Sequence, residues 1–155
     1  MIVPLHENYA ASCVEVVRTL PEWFGYPGAL DDVAKAAATQ RGFVALGAGG
    51  ETIGFVALQP NYHESLEITY LAVRADHRRE GLGRALVKSV RDYALSTGSQ
   101  SVCLLTLGLS ADSEPYRETV AFYEAVGFWR TKEIYLTSWG GAPTLLMVAP
   151  AASLG

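Results

Sequence analysis

The sequence predicts a three-layer α+β fold: a mixed, mostly antiparallel sheet with one central parallel strand pair and helices on both faces. Three observations lead there. The stretches "LEITYLAV", "GLGRALVKSVRDYALSTG" and "SVCLLTL" follow one another as strand, amphipathic helix and strand, the pattern of one right-handed parallel crossover. Hairpin-like apolar runs stand on both sides of that unit. The chain has 155 residues, half of them apolar, which suits one domain over residues 1–155 with a sizeable core.

Each element has its own signal. In "ENYAASCVEVVRTLPEWF", Cys13, Val14, Val17 and Leu20 recur at helical spacing, and Pro21 is expected to stop the helix. "EWFGYPGALDD" reads as irregular. "GFVALGAGGETIGFVALQP" reads as a hairpin about Gly49 and Gly50, and "PNYHES" as a polar connection. "LEITYLAV" is β-branched and apolar, and period-two alternation puts Glu67, Thr69, Leu71 and Val73 on one face. The next helix carries Leu82, Leu86, Val90 and Tyr93 inward and ends at Gly98. "SVCLLTL" is so continuously apolar that it reads as a strand buried on both faces. "EPYRETVAFYEAVG" is a helix with Pro115 in its first turn and Gly127 at its end. "EIYLTSW" and "TLLMVAP" close the chain as strands around "GGAP". No repeat or linker interrupts the order.

Composition removes several classes. A net charge of −4 lacks the basic excess of a general nucleic-acid binder. Cys13 and Cys103 form no C-x-x-C pair, so neither a disulfide framework nor a zinc ribbon is expected. The start lacks a signal-peptide pattern, and no apolar run reaches membrane-spanning length, so a reducing cytoplasm is the expected location.

The stretch "RADHRREGLGRAL" is the most informative. Arg78, Arg79 and Arg84 surround Gly81 and Gly83 where a helix begins. A helix N-terminus exposes unpaired N–H groups and a positive dipole end, and glycines let an anion approach them. Strand, loop and helix together make a phosphate site. The P-loop pattern is absent. The dinucleotide fingerprint needs Gly or Ala where Leu86 stands.

The segment "LAVRADHRREGLGRAL" resembles the acyl-CoA site of the GNAT superfamily of N-acyltransferases. Its pattern, [Gln/Arg]-x-x-Gly-x-[Gly/Ala], is met by Arg78, Gly81 and Gly83. "ETVAFYEAVGF" resembles the family's A-x-x-F-Y-x-x-x-G-F segment, and the likeness runs from about Gly42 to Val148. The resemblance implies a central parallel pair splayed around acyl-CoA, acetyl-CoA as co-substrate, an amine acceptor and no metal. It implies that the N–H groups of Arg79, Glu80, Gly81, Leu82, Gly83 and Arg84 cradle the CoA pyrophosphate. It also implies that Leu71, Ala72 and Val73 bond the pantetheine arm through their backbone. Homodimers are frequent in the family, so a homodimer is expected. Three positions depart from the pattern: Ala75 stands where Pro is frequent, and Tyr116 and Thr119 stand where Asn and Ala are common.

Acyl transfer from a thioester to an amine needs a base, an oxyanion donor and a proton for the thiolate. By resemblance Tyr123 is the acid, with Phe122 beside it as packing. Glu67 interrupts an apolar strand and is either the base, through a water, or a half-exposed strand residue. His63 and Glu64 are alternatives that read more simply as loop residues. His77 belongs to the anion loop, and Cys103 reads as a small buried residue. By resemblance the acceptor side holds Trp23, Phe24, Tyr26 and Trp139. Asp31 and Asp32 either attract a cationic acceptor or only start a helix. The rival to an enzyme is an acyl-CoA-binding module without turnover.

Overall fold

The computed structural model describes all residues, Met1–Gly155. Seven strands form one sheet: β1 (Ile2–Pro4), β2 (Arg41–Leu46), β3 (Thr52–Pro60), β4 (Ser65–Val73), β5 (Ser101–Leu107), β6 (Trp129–Tyr135) and β7 (Pro143–Pro150). Five α-helical segments accompany them: α1 (Ala10–Arg18), α2 (Pro21–Phe24), α3 (Ala29–Thr39), α4 (Leu82–Ser96) and α5 (Glu114–Ala125). The sheet order is β1-β2-β3-β4-β5-β7-β6. Only β4 and β5 pair in parallel, and every other neighbour is antiparallel. This is the expected mixed sheet. The parallel pair needs a crossover, and α4 supplies it.

Two elements lie outside the sequence expectation. β1 is a three-residue edge strand against β2. α3 occupies a stretch read in part as irregular; Pro21 does not merely end the first helix but opens the separate turn α2. α3 buries Ala29, Val33, Ala36 and Ala37, mostly small residues.

Each sheet face has its own core. One cluster joins Val56, Leu58, Leu66, Ile68 and Leu104 to Leu86, Val87 and Val90 of α4 and Val120 and Tyr123 of α5. The other joins Phe55, Ala57 and Ala72 to Val16, Val17 and Cys13 of α1 and Val33 of α3. Helices therefore cover both faces.

Two expectations about strands are corrected. The β3–β4 register shifts so that Ala57 pairs with Tyr70 but Leu58 with Ile68, leaving Thr69 as an extra residue. Such a bulge resets the alternation. Glu67, Tyr70 and Ala72 share the α1/α3 face, while Leu71 and Val73 join the α4/α5 core, so Glu67 and Leu71 are on opposite faces. β5 is not buried on both faces: Val102, Leu104 and Thr106 are buried, but Cys103, Leu105 and Leu107 are half-buried.

Candidate functional site

The site begins where the parallel pairing ends. β4 and β5 are bonded from Ser65↔Ser101 to Ile68↔Leu104 and no further, although β4 runs on to Val73 and β5 to Leu107. A cavity of about 1480 Å³ fills the fork. Leu71, Ala72 and Val73 line one prong, and Leu105, Thr106 and Leu107 the other. The facing backbone edges have no strand between them, so amide groups of a linear ligand could bond there.

The loop before α4 closes one end. Arg78 is extended, Arg79 takes a positive φ of 66°, and Gly81, the N-cap of α4, takes 81°. Only glycine adopts that conformation without cost, which explains Gly81. None of the backbone N–H groups of residues 78–84 donates to a backbone acceptor; the next bond in the chain is Ala85 N–H to the Gly81 carbonyl, 3.0 Å. A run of free N–H groups at a helix start is an anion cradle. Arg79 and Arg84 make no ion pair within the chain and line the cavity. Gly83 has a second reason to be bare: a Cβ there would lie 3.0 Å from Phe122 Cζ of α5. Glu80 alone among the expected cofactor residues does not line the cavity, and its carboxylate lies 3.2 Å from His77 Nδ1.

Arg78 reaches across the fork. Its guanidinium lies 5.0 Å from the Trp23 ring centroid and 3.2 Å from the Glu118 carboxylate on α5. Trp23 is fixed from the α5 side too. Its Nε1 donates to Thr119 Oγ1 at 2.9 Å, and its carbonyl accepts from the Tyr116 hydroxyl at 3.1 Å.

Tyr123 is only 7% exposed, its ring packed between Phe122 and Phe128. Its hydroxyl makes no hydrogen bond within the chain, yet no sealed side-chain oxygen in the chain lacks a partner. The hydroxyl therefore opens on the cavity that Tyr123 lines. Thr106, 6% exposed, is in the same position and went unnoticed in the sequence because it sits in an apolar run. Burial, and after it nearby Tyr116, pushes the Tyr123 phenol well above its ordinary range, so it stays protonated at neutral pH.

Glu67 lines the cavity on the other face of the sheet, opposite Gln59 of β3. Asn61 Nδ2 donates to it at 3.3 Å and contacts Cys103 Sγ at 3.4 Å. Burial, then the Glu67 charge, raises the Cys103 thiol, which keeps it protonated and a poor nucleophile. His63 and Glu64 pair with each other in solvent and do not line the cavity.

Trp23, Tyr26 and Trp139 all line the cavity, as do residues that sequence reasoning did not single out: Gln40, Gln59 and Tyr70. Phe24 and Tyr70 rings lie 6.3 Å apart. Thr69, the bulge residue, donates to Gln40 and to the Ala57 carbonyl. No cluster of His, Cys, Asp or Glu has metal-binding form, and no helix is long and apolar enough to cross a membrane.

A forked sheet with an anion cradle at the start of the crossover helix defines an acyl-CoA site of the GNAT type. Residues 9–128 match the sequence model of the Acetyltransferase (GNAT) family, and the chain belongs to that family. Among relatives, N-acetyltransferase family 8 member 3 of Mus musculus is 34% identical over 93 residues, covering 57% of this chain and 38% of its own length. The chain thus spans well under half of that relative. An acetyltransferase of the GNAT family from Desulfovibrio desulfuricans superposes with a TM-score of 0.82 over 98% of this chain and 100% of its own, at 18% identity. An aminoglycoside 6'-N-acetyltransferase complexed with coenzyme A superposes with a TM-score of 0.73 over 97% of each chain, at 20% identity. At such identities the two structures establish the fold alone.

Proposed function

We propose that the protein is an N-acetyltransferase that moves the acetyl group of acetyl-CoA to a primary amine by direct attack. The observation that carries this is that one cleft holds both a row of unbonded N–H groups and an unpartnered, buried tyrosine hydroxyl. The first suits a pyrophosphate; the second is the equipment of a reaction that must protonate a leaving group. A binding module without turnover would need only the first.

Acetyl-CoA supplies an activated thioester carbonyl. The N–H groups of residues 78–84, with Arg79 and Arg84, hold its phosphates, and the unpaired edge of Leu71, Ala72 and Val73 bonds the pantetheine amides. A backbone N–H on that edge receives the developing oxyanion. Glu67 takes the ammonium proton through a water, which frees the nitrogen lone pair. As the new C–N bond forms and the C–S bond breaks, Tyr123 gives its proton to the sulfur, and the second proton of the attacking nitrogen passes through solvent to restore the phenol. Trp23, Tyr26 and Trp139 flank the acceptor. Acetyl-CoA as the preferred acyl donor is part of this reading.

The test is thiol release from acetyl-CoA across a panel of amines, with CoA binding measured alongside. Amine-dependent release supports the enzyme. Tight CoA binding with no release for any amine would make the chain a binding module.

A further inference from the structure

The charge in the cleft is sorted. Its basic side chains, His77, Arg78, Arg79 and Arg84, all come from the loop and first turn of α4. Of its three acids, Glu118 is held by Arg78. The other two, Asp32 and Glu67, have no basic partner anywhere in the chain. Both belong to the α1/α3 side of the sheet.

Asp32 does not stand alone there. Tyr26 and Tyr70 line the same cleft, and burial first, with the Asp32 charge as a lesser cause, raises both phenols. Phe24 closes on Tyr70. A carboxylate with no basic partner, lining a cleft together with aromatic faces and phenol oxygens, is the equipment of an ammonium site. From the α4/α5 face of the sheet the deeply buried hydroxyls of Tyr123 and Thr106, which find no partner in the chain, open into the same cleft.

We propose that Asp32, with Tyr26 and Tyr70, binds a second ammonium group of the acceptor, so that the preferred substrate is a small molecule carrying at least two amines. One amine approaches Glu67 and loses its proton; the other stays charged and is held by Asp32. This rests on the acetyltransferase reading and adds the substrate class to it. A monoamine, or an acceptor whose only cation is the reacting one, leaves Asp32 unpaired and binds more weakly.

A built-in control separates this role from a helix-start role. Asp31 and Asp32 both lie in the first turn of α3, where either carboxylate complements the helix dipole. Asp32 lines the cleft and Asp31 does not. The experiment compares 1,5-diaminopentane with 1-aminopentane, and adds spermidine and kanamycin, in the parent, Asp31→Asn and Asp32→Asn. The KM of the parent is expected to be about two- to fivefold lower for the diamine than for the monoamine, the range of an exposed charged contact. Asp32→Asn removes that difference and leaves the KM for acetyl-CoA unchanged; Asp31→Asn behaves as the parent. Equal KM values for multi-amine and monoamine acceptors in the parent would overturn the proposal, as would equal effects of the two substitutions. If no amine releases thiol, the acetyltransferase reading fails separately. Equilibrium binding of 1,5-diaminopentane to the CoA-loaded parent and to Asp32→Asn then decides the subsite: tighter binding to the parent upholds it, and equal or absent binding refutes it.

Discussion

Replacing Tyr123 with Phe removes one oxygen and nothing else that the fold uses. The hydroxyl makes no hydrogen bond within the chain, and the ring keeps its contacts with Phe122 at 5.3 Å and Phe128 at 5.5 Å between centroids. Folding stability should therefore change by no more than about 0.5 kcal/mol. Turnover should not be spared. General-acid groups contribute roughly 10²–10⁴-fold. A thiolate leaves more readily than an amine or alkoxide, which selects the low end, about 100-fold or about 2.7 kcal/mol at the barrier. The loss should fall on kcat, with KM for acetyl-CoA little changed, as for a group that acts in the transition state. The assay is steady-state thiol release, with a thermal melt and CoA titration on the same preparation. An unchanged kcat with intact CoA binding would remove Tyr123 from the chemistry. The pH dependence gives a second check. Burial raises the phenol, so its proton is lost only above the ordinary tyrosine value of about 10. The parent should show no loss of kcat from this group between pH 7 and 10. A basic limb in that window that vanishes in the Phe variant would contradict the burial argument.

Glu67→Gln keeps the size but not the basicity, so kcat at neutral pH should fall while CoA affinity holds, and higher pH should restore part of the rate; an unaltered pH–rate profile would remove Glu67 from the mechanism. Gly81→Ala puts a Cβ on a residue at φ 81° with nothing within 4 Å, so the cost is backbone strain rather than a clash, about 1–2 kcal/mol in a thermal or urea melt, with weaker CoA binding by titration. Gly83→Ala should loosen α4 from α5 because its Cβ meets Phe122 at 3.0 Å, and Phe122→Leu in the same chain should recover part of the stability; a strictly additive double-mutant cycle would refute the contact.

The parts of this molecule legible in its sequence are those written locally. The β4–α4–β5 crossover shows because a change of apolar period from two to 3.6 and back lies within one continuous stretch. The anion loop shows because Gly81, Gly83 and three arginines fall together. β1 is too short to have a period. α3 has a regular stripe at Ala29, Val33, Ala36 and Ala37, but three of these four are alanines in a stretch that also holds the unburied Ala34 and Ala38, so residue type does not set the stripe apart. The bulge at Thr69 is set by pairing with β3, a relation between segments, and it moves Glu67 away from the face of Leu71. β5 misleads for a chemical reason. Leu105 and Leu107 line the cleft, and an apolar ligand wall has the composition of a core. On the far side of the cleft, Tyr26 and Asp32 are singled out in the sequence, whereas Gln40 and Tyr70 are not, because they carry no motif and come from separate places in the chain.

The two departures from the family pattern on α5 turn out to be one feature. Tyr116 and Thr119 are three apart, hence on one helix face. Both bond Trp23, one at its carbonyl and one at its indole N–H. An Asn and an Ala in those places would change the first contact and abolish the second. The pair ties α2 to α5, and the tie has reach on both sides. Trp23 lies under Arg78 of the loop before α4, while its neighbour Phe24 has its ring 6.3 Å from that of Tyr70. α2 is only four residues long and could not hold such a position by its own hydrogen bonds. α5 holds it instead. Two consecutive aromatic residues, Trp23 and Phe24, thus reach from the loop before α4 to Tyr70 on β4, and the side chains that fix Trp23 stand where the resemblance places Asn and Ala.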